Sequence, residues 1–246
     1  MEQVVFKDLG RIAYDEAWRL QKDLHKELVE AKLWNRDPAN PPRPRKHYLL
    51  FCEHAPVYTL GKSGKIDHLL LDEEGLKQKG ITFFKINRGG DITYHGPGQI
   101  VAYPIFDLDG FFTDVHRYVR TLEEAVIRTL APYQIEGLRE PKYTGVWLEG
   151  QGQLPKRKIC AIGVHLSRWV TMHGLAFNVN TDLSFFRHII PCGIDEQDKD
   201  VTSMTAELGK TQDIDKVKEE LKIQFAQLFG YEYIQDDEKR HSSTES

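Results

Sequence analysis

Four glycines, Gly89, Gly90, Gly96 and Gly98, crowd into one short stretch, with apolar runs on both sides at 82–86 and 99–105. Runs of that length, rich in β-branched and aromatic residues, read as strands. Glycines admit positive φ and let two backbones, or a backbone and a ligand, approach closely. The expectation is a loop at 88–98 held between two strands. It has neither GxGxxG before a helix nor GxxxxGK[ST], so a phosphate cradle is not supported.

The other elements follow from periodicity and punctuation. Ala17, Leu20, Leu24, Leu28 and Ala31 recur at steps of three and four, which predicts a first helix from Ala13. It must stop before Asp37-Pro38 and the Pro41-Pro42-Arg43-Pro44 loop. A strand is expected at 47–53. Asp114 can cap a helix carrying Val115, Tyr118, Val119, Leu122, Val126 and Leu130, discouraged from continuing by Pro132. Strands are expected at 144–149 and 158–166 around a hairpin-like turn at 150–153, and again at 175–179. Asp213 caps a last helix closed by Gly230. Without regular βαβ alternation, the fold class is α+β, a mixed β-sheet covered by helices.

At 246 residues and 40% hydrophobic content the chain can bury a full core as one domain. Cys52, Cys160 and Cys192 are an odd count with no CxxC pair, which points to a reducing compartment and away from a zinc site. The first residues lack an apolar signal core, and no apolar run has membrane-spanning length. The expectation is therefore a cytoplasmic protein with no membrane partner. A net charge of −4 gives no reason to expect nucleic acid. Two basic clusters, Arg43, Arg45, Lys46 and Lys156, Arg157, Lys158, are either contacts for an acidic protein or solvated loops.

Four stretches carry candidate chemistry. In the glycine-rich loop, Arg88, Thr93 and His95 supply polar side chains to a ligand, unless the loop is a plain connection. In the strand that opens at Lys158, regular alternation puts Lys158, Cys160 and Ile162 on one face; a lysine there is ordinarily just exposed. A third stretch runs through His173, Gly174, Leu175 and Ala176. In the fourth, Cys192 sits between Pro191 and Gly193. Cys52 lies inside an apolar run, as an inert core thiol does, whereas a turn is where a reactive thiolate can be served by a cation and free N–H groups. The residues alone leave Cys192 open as nucleophile or buried structural thiol.

In order and spacing these stretches resemble the lipoyl(octanoyl) transferase family. Its signature is met by Arg88, Gly89, Gly90, Thr93, Tyr94, His95, Gly98, Gln99 and Tyr103, its lysine strand by 158–163, its His-Gly-Leu-Ala by 173–176 and its Pro-Cys-Gly by 191–193. The resemblance implies the fold of lipoate and biotin protein ligases, with the single domain expected from length as one catalytic domain at 1–234; the low-complexity polar end at 235–246 is expected from its composition to be disordered. It implies transfer of an octanoyl or lipoyl group from octanoyl-acyl carrier protein to a lysine of lipoyl domains. The acceptors would be 2-oxo acid dehydrogenase E2 subunits and the glycine cleavage H protein.

On the same resemblance, Cys192 and Lys158 form a catalytic dyad with a thioester on the cysteine, and no metal or other cofactor is required. Arg88, Gly89, Gly90, Asp91, Ile92, Thr93, Tyr94, His95, Ala161, Ile162, Gly163, Gly174, Leu175 and Ala176 bind the acyl substrate. Cys160 stands where the family often has alanine, and would be a small buried filler or a second thiol able to pair with Cys192. An ATP-dependent lipoate or biotin ligase on the same fold is the alternative activity, and a cysteine hydrolase using Cys192 and His173 a further one.

Overall fold

The computed structural model describes residues 1–150, 152, 154–191 and 199–236. In chain order the elements are β1 (Glu2–Ile12), α1 (Tyr14–Trp34), β2 (His47–His54), β3 (Val57–Leu60), α2 (Glu73–Gln78), β4 (Thr82–Lys85) and β5 (Ile92–His95). They continue with β6 (Gln99–Ile105), α3 (Val115–Leu130), β7 (Leu138–Glu140), β8 (Tyr143–Leu148), β9 (Lys156–Ser167), β10 (Val170–Asn178) and β11 (Lys199–Val201). The last are α4 (Met204–Leu208), α5 (Ile214–Phe229) and β12 (Tyr231–Ile234).

Nine strands form one mixed sheet in the order β12-β1-β2-β6-β10-β9-β8-β7, with β11 alongside β9. The centre of the sheet is antiparallel, β2 to β6 to β10 to β9, and the β1 pairings with β2 and β12 are parallel. Alternate side chains of β2 and β6 enter two different cores. Leu49, Phe51, Ile100 and Ala102 pack with α3 and α5, while Leu50, Cys52, Val101 and Tyr103 pack with α1. Both faces being covered, these strands read in sequence as unbroken apolar runs.

Helix ends fall where the capping residues put them. Asp114 accepts from Arg117 N, Asp213 accepts from Lys216 N, and Gly230 closes α5 at φ 70°. The mixed sheet covered by helices expected from sequence is the architecture found. The glycine-rich segment departs from expectation. It is not loop throughout: 92–95 form β5, which joins β3 and β4 in a separate three-stranded sheet. Of the expected polar tail, Asp236 is described and its carboxylate pairs with Lys7; 237–246 lie outside the described residues.

Candidate active site

Lys158 owes its position to a β-bulge. Val146 of β8 pairs with Cys160, but the next residue, Trp147, pairs with Lys158, so β9 carries one extra residue. Regular alternation would give Lys158 and Cys160 one face. With the bulge, Cys160 and Ile159 both pack in the α3/α5 core, and Lys158 turns into the wall of a cavity beside Ala161 and Gly163. Cys160 is fully enclosed, and burial pushes its thiol well above the ordinary range. The shared face is thus corrected, and with it the idea of a second thiol in the site.

The bulge is braced from β8. Gly145 has φ 130°, and a Cβ there would meet the Cys160 carbonyl oxygen at 2.5 Å, so only glycine lets the two strands approach this closely. Its N–H donates to Glu123 Oε1 at 3.1 Å. Glu123 is fully buried and is balanced by Arg120 at 2.7 Å and Arg139 at 3.3 Å. On the other side β11 places Val201 opposite Lys158, and Thr202 N donates to Lys158 O at 2.9 Å.

The cavity has a volume of about 300 Å³ and lies between strands β6, β9 and β10 and the segment 88–95, with Tyr14 of α1 also on its wall. That segment is clamped in place. Arg88 Nη2 donates to Thr59 O at 2.7 Å and to Thr59 Oγ1 at 3.0 Å, and Gly89 N donates to Val164 O at 2.9 Å. Opposite it, a Cβ on Gly163 would stand 2.7 Å from Gly89 O, so a side chain would force loop and strand apart.

Of the residues expected at an acyl site, Arg88, Gly89, Gly90, Asp91, Ile92, Thr93, His95, Ala161, Ile162, Gly163, Gly174, Leu175 and Ala176 line this cavity together with Lys158. Tyr94 does not. Strand alternation in β5 turns it to the opposite face, where it stacks on Phe185 with ring centres 4.7 Å apart.

Gln99 and Asn178 also line the cavity, and neither is among the binding residues that the resemblance implies. Gln99 Nε2 donates to Asn178 Oδ1 at 2.9 Å, and Asn178 Nδ2 donates to Thr202 O at 3.0 Å. Because the Gln99 amide nitrogen is so used, its Oε1 accepts from His95 Nδ1 at 2.9 Å. A chain of hydrogen bonds thus runs from His95 to the residue that holds the Lys158 carbonyl. Burial, then the neighbouring His54, pushes His95 down to about 3. His173 is also pushed to about 3, by burial and then Arg88. It adopts φ 61°, its backbone N–H donates to Gln21 Oε1 at 3.0 Å, and its buried Nε2 has no hydrogen-bond partner among the described residues. Both imidazoles are neutral at physiological pH.

Cys192 and Gly193 lie outside the described residues. The chain leading to them is tied down: Ile190 N donates to His68 O at 2.8 Å, Leu69 and Ile189 form a bridge, and Pro191 lines the cavity.

The family model of the lipoyl protein ligase A/B catalytic domain matches residues 13–226. The chain belongs to this family. It is 53% identical over 232 residues to an octanoyltransferase of Christiangramia forsetii, covering 94% of this chain and 97% of that one. It is 52% identical over 234 residues to that of Flavobacterium johnsoniae, covering 95% and 99%. It is likewise an enzyme, an acyltransferase. Solved structures of similar fold include a lipoate-protein ligase A bound with ATP, with TM-score 0.64 at 18% identity over 95% of this chain and 87% of that one. Another is the putative lipoate protein ligase Ta0514 of T. acidophilum with bound lipoic acid, with TM-score 0.64 at 16% identity over 95% and 88%. Among the described residues no helix is long and apolar enough to cross a membrane, and no group of His, Cys, Asp and Glu could hold a metal ion.

Proposed function

We propose that this acyltransferase moves an octanoyl group from the thioester of acyl carrier protein, through a thioester on Cys192, to a lysine of lipoyl domains of the 2-oxo acid dehydrogenase E2 subunits and the glycine cleavage H protein. The observation that carries the reading is a buried lysine in the cavity wall. Lys158 is only 8% exposed and lines the same cavity as Pro191, the residue bonded to Cys192.

A lysine amine takes the thiol proton, and the resulting thiolate and ammonium each lower the cost of the other. The thiolate attacks the octanoyl carbonyl, and the C–S bond to the carrier's phosphopantetheine breaks. The departing thiolate takes the proton back from Lys158. The acceptor lysine, as free amine, then attacks the Cys192 thioester: the amide bond forms, the C–S bond to Cys192 breaks, and the proton lost by the attacking amine passes to the Lys158 amine, which restores the thiolate–ammonium pair. Splitting the transfer makes the first step a nearly even thioester exchange and leaves the downhill formation of the amide to the second.

The acyl chain has six methylenes and a methyl. At ~0.8 kcal/mol per buried CH₂ its enclosure contributes about 5 kcal/mol before ordering costs. Arg88, Thr93, His95, Ala161, Gly163 and Ala176 are assigned to that enclosure. Intact-mass measurement after mixing the enzyme with octanoyl carrier protein tests the reading. One octanoyl group should appear on wild type and none on Cys192→Ala. Formation of octanoylated lipoyl domain from free octanoate and ATP would point instead to a ligase, and release of free octanoate to a hydrolase.

A further inference from the structure

Trp147 of β8 is fully buried, and the centre of its ring lies 4.6 Å from Lys158 Nζ. The bulge makes Trp147 the residue directly opposite Lys158 in the ladder, where facing side chains on one side of a sheet meet. Its indole Nε1–H donates to Tyr143 O at 3.1 Å, which fixes the plane of the ring. Trp147 stands behind Lys158, outside the cavity lining, so it reaches the chemistry only through the lysine.

The face of an indole attracts an ammonium and not a neutral amine, and the attraction is strongest where both partners are shielded from water. We propose that Trp147 is a positioning residue for Lys158: its ring holds the lysine in the cavity wall and favours the ammonium form. This rests on the Lys158–Cys192 dyad proposed above. When that pair has lost one proton it exists as thiolate–ammonium or as thiol–amine, two states of equal net charge that differ in where the proton sits. A ring that stabilises only the ammonium moves the pair toward the reactive thiolate.

Other charged or titratable groups share the cavity that Lys158 lines: Lys142 and Tyr143 from the edge of β8, Arg88, Asp91 and His95 from the clamped segment and His173 from β10, with Cys160 of β9 interacting with Lys158 from the core side. Lys199 lies over the Tyr143 ring. None of these side chains is itself altered when the indole is replaced.

The test is the rate of Cys192 alkylation by iodoacetamide from pH 5 to 10 for wild type, Trp147→Phe and Trp147→Leu, each also in a Lys158→Ala background. Thermal unfolding of every variant is followed alongside, and labelling of Cys192→Ala is subtracted. At pH 7 Trp147→Leu should react about two- to thirty-fold more slowly than wild type, with Trp147→Phe in between because it keeps a ring face. With Lys158 already replaced, neither change should slow labelling further. A Trp147→Leu profile that overlays wild type while Lys158→Ala shifts it overturns the role of Trp147. So does an equal slowing in the Lys158→Ala background, which would mark a packing effect. A Lys158→Ala profile that overlays wild type overturns the dyad itself. If Trp147→Leu does not fold, the Phe variant with its Lys158→Ala partner gives the same decision.

Discussion

His68 Nδ1–H donates to Asp91 Oδ2 at 2.5 Å, while the backbone carbonyl of the same histidine accepts from Ile190 N at 2.8 Å. One residue therefore joins a cavity-lining carboxylate to the chain that leads into Cys192. Asp91 also accepts from Ile92 N through Oδ1 at 2.6 Å, which sets the start of β5. Cutting the tie at either end should loosen the approach of 188–191 to the cavity. His68→Ala and Asp91→Ala are each expected to lower octanoyl transfer on the order of ten-fold, since small misplacements of reacting groups are costly. Steady-state transfer assays combined with proteolysis at 186–199 check this, and unchanged kcat in both variants would show the tie to be idle.

A second prediction concerns the brace under Lys158. Gly145→Ala puts a methyl 2.5 Å from the Cys160 carbonyl oxygen at a φ of 130° that L-residues rarely adopt. The strain should cost about 1–3 kcal/mol in urea unfolding. It should also move Lys158, so activity should drop by more than the loss of folded protein explains. Gly152→Ala, in the turn of the same hairpin and with nothing within 4 Å of the added methyl, provides the comparison.

How much of this was legible in sequence differs from element to element. The long helices α1, α3 and α5 were, because Asp114, Asp213 and Gly230 sit where caps are needed and apolar residues keep a helical period; α2 and α4, of six and five residues, are too short to show a period and were not. Strands β2 and β6 were, because burial on both faces leaves continuous apolar runs. β1 was not: only Val4 and Val5 of its eleven residues are buried, so its alternation is broken by polar positions. β5 was hidden inside a glycine-rich stretch whose flanking glycines mask four buried residues. Thirteen of the residues lining the cavity were legible through the family resemblance; Tyr14 and Asn178, brought in from α1 and the end of β10, were not, nor was the face of Lys158. A bulge depends on how two strands register, and spacing along one strand carries no record of it.

Acid should unfold the protein through its buried histidines. His95 and His173 are held near 3, whereas in the unfolded chain each titrates near ~6.5. Between those values the unfolded state binds protons that the folded state refuses, so stability falls as pH drops from about 6.5 toward 3. From pH 7 to pH 5 the two together should remove about 2–4 kcal/mol, at ~1.4 kcal/mol per pH unit for each. Urea unfolding of wild type and of a His95→Gln, His173→Gln double variant at both pH values measures this. The double variant should show a flatter pH dependence; parallel curves would mean that other groups control acid stability.

The last prediction concerns what fits in the cavity. Ala161 and Ala176 face each other across β9 and β10, and both line it. Two alanines side by side leave the wall low, and the room above them belongs, on the proposed reading, to the acyl chain. Ala176→Leu would fill part of that room with side chain. Ala176 lies beside Val101 and Met172 in the α1-side core, so the larger residue must reach into the cavity or strain that packing by about 1–3 kcal/mol. If it reaches into the cavity, long chains suffer before short ones: kcat/KM for octanoyl thioester should fall at least about ten-fold, and for butanoyl thioester about three-fold or less. The measurement is kcat/KM across a series of butanoyl to decanoyl carrier-protein thioesters, for wild type and Ala176→Leu. An equal loss at every chain length would place the acyl chain somewhere other than over this pair.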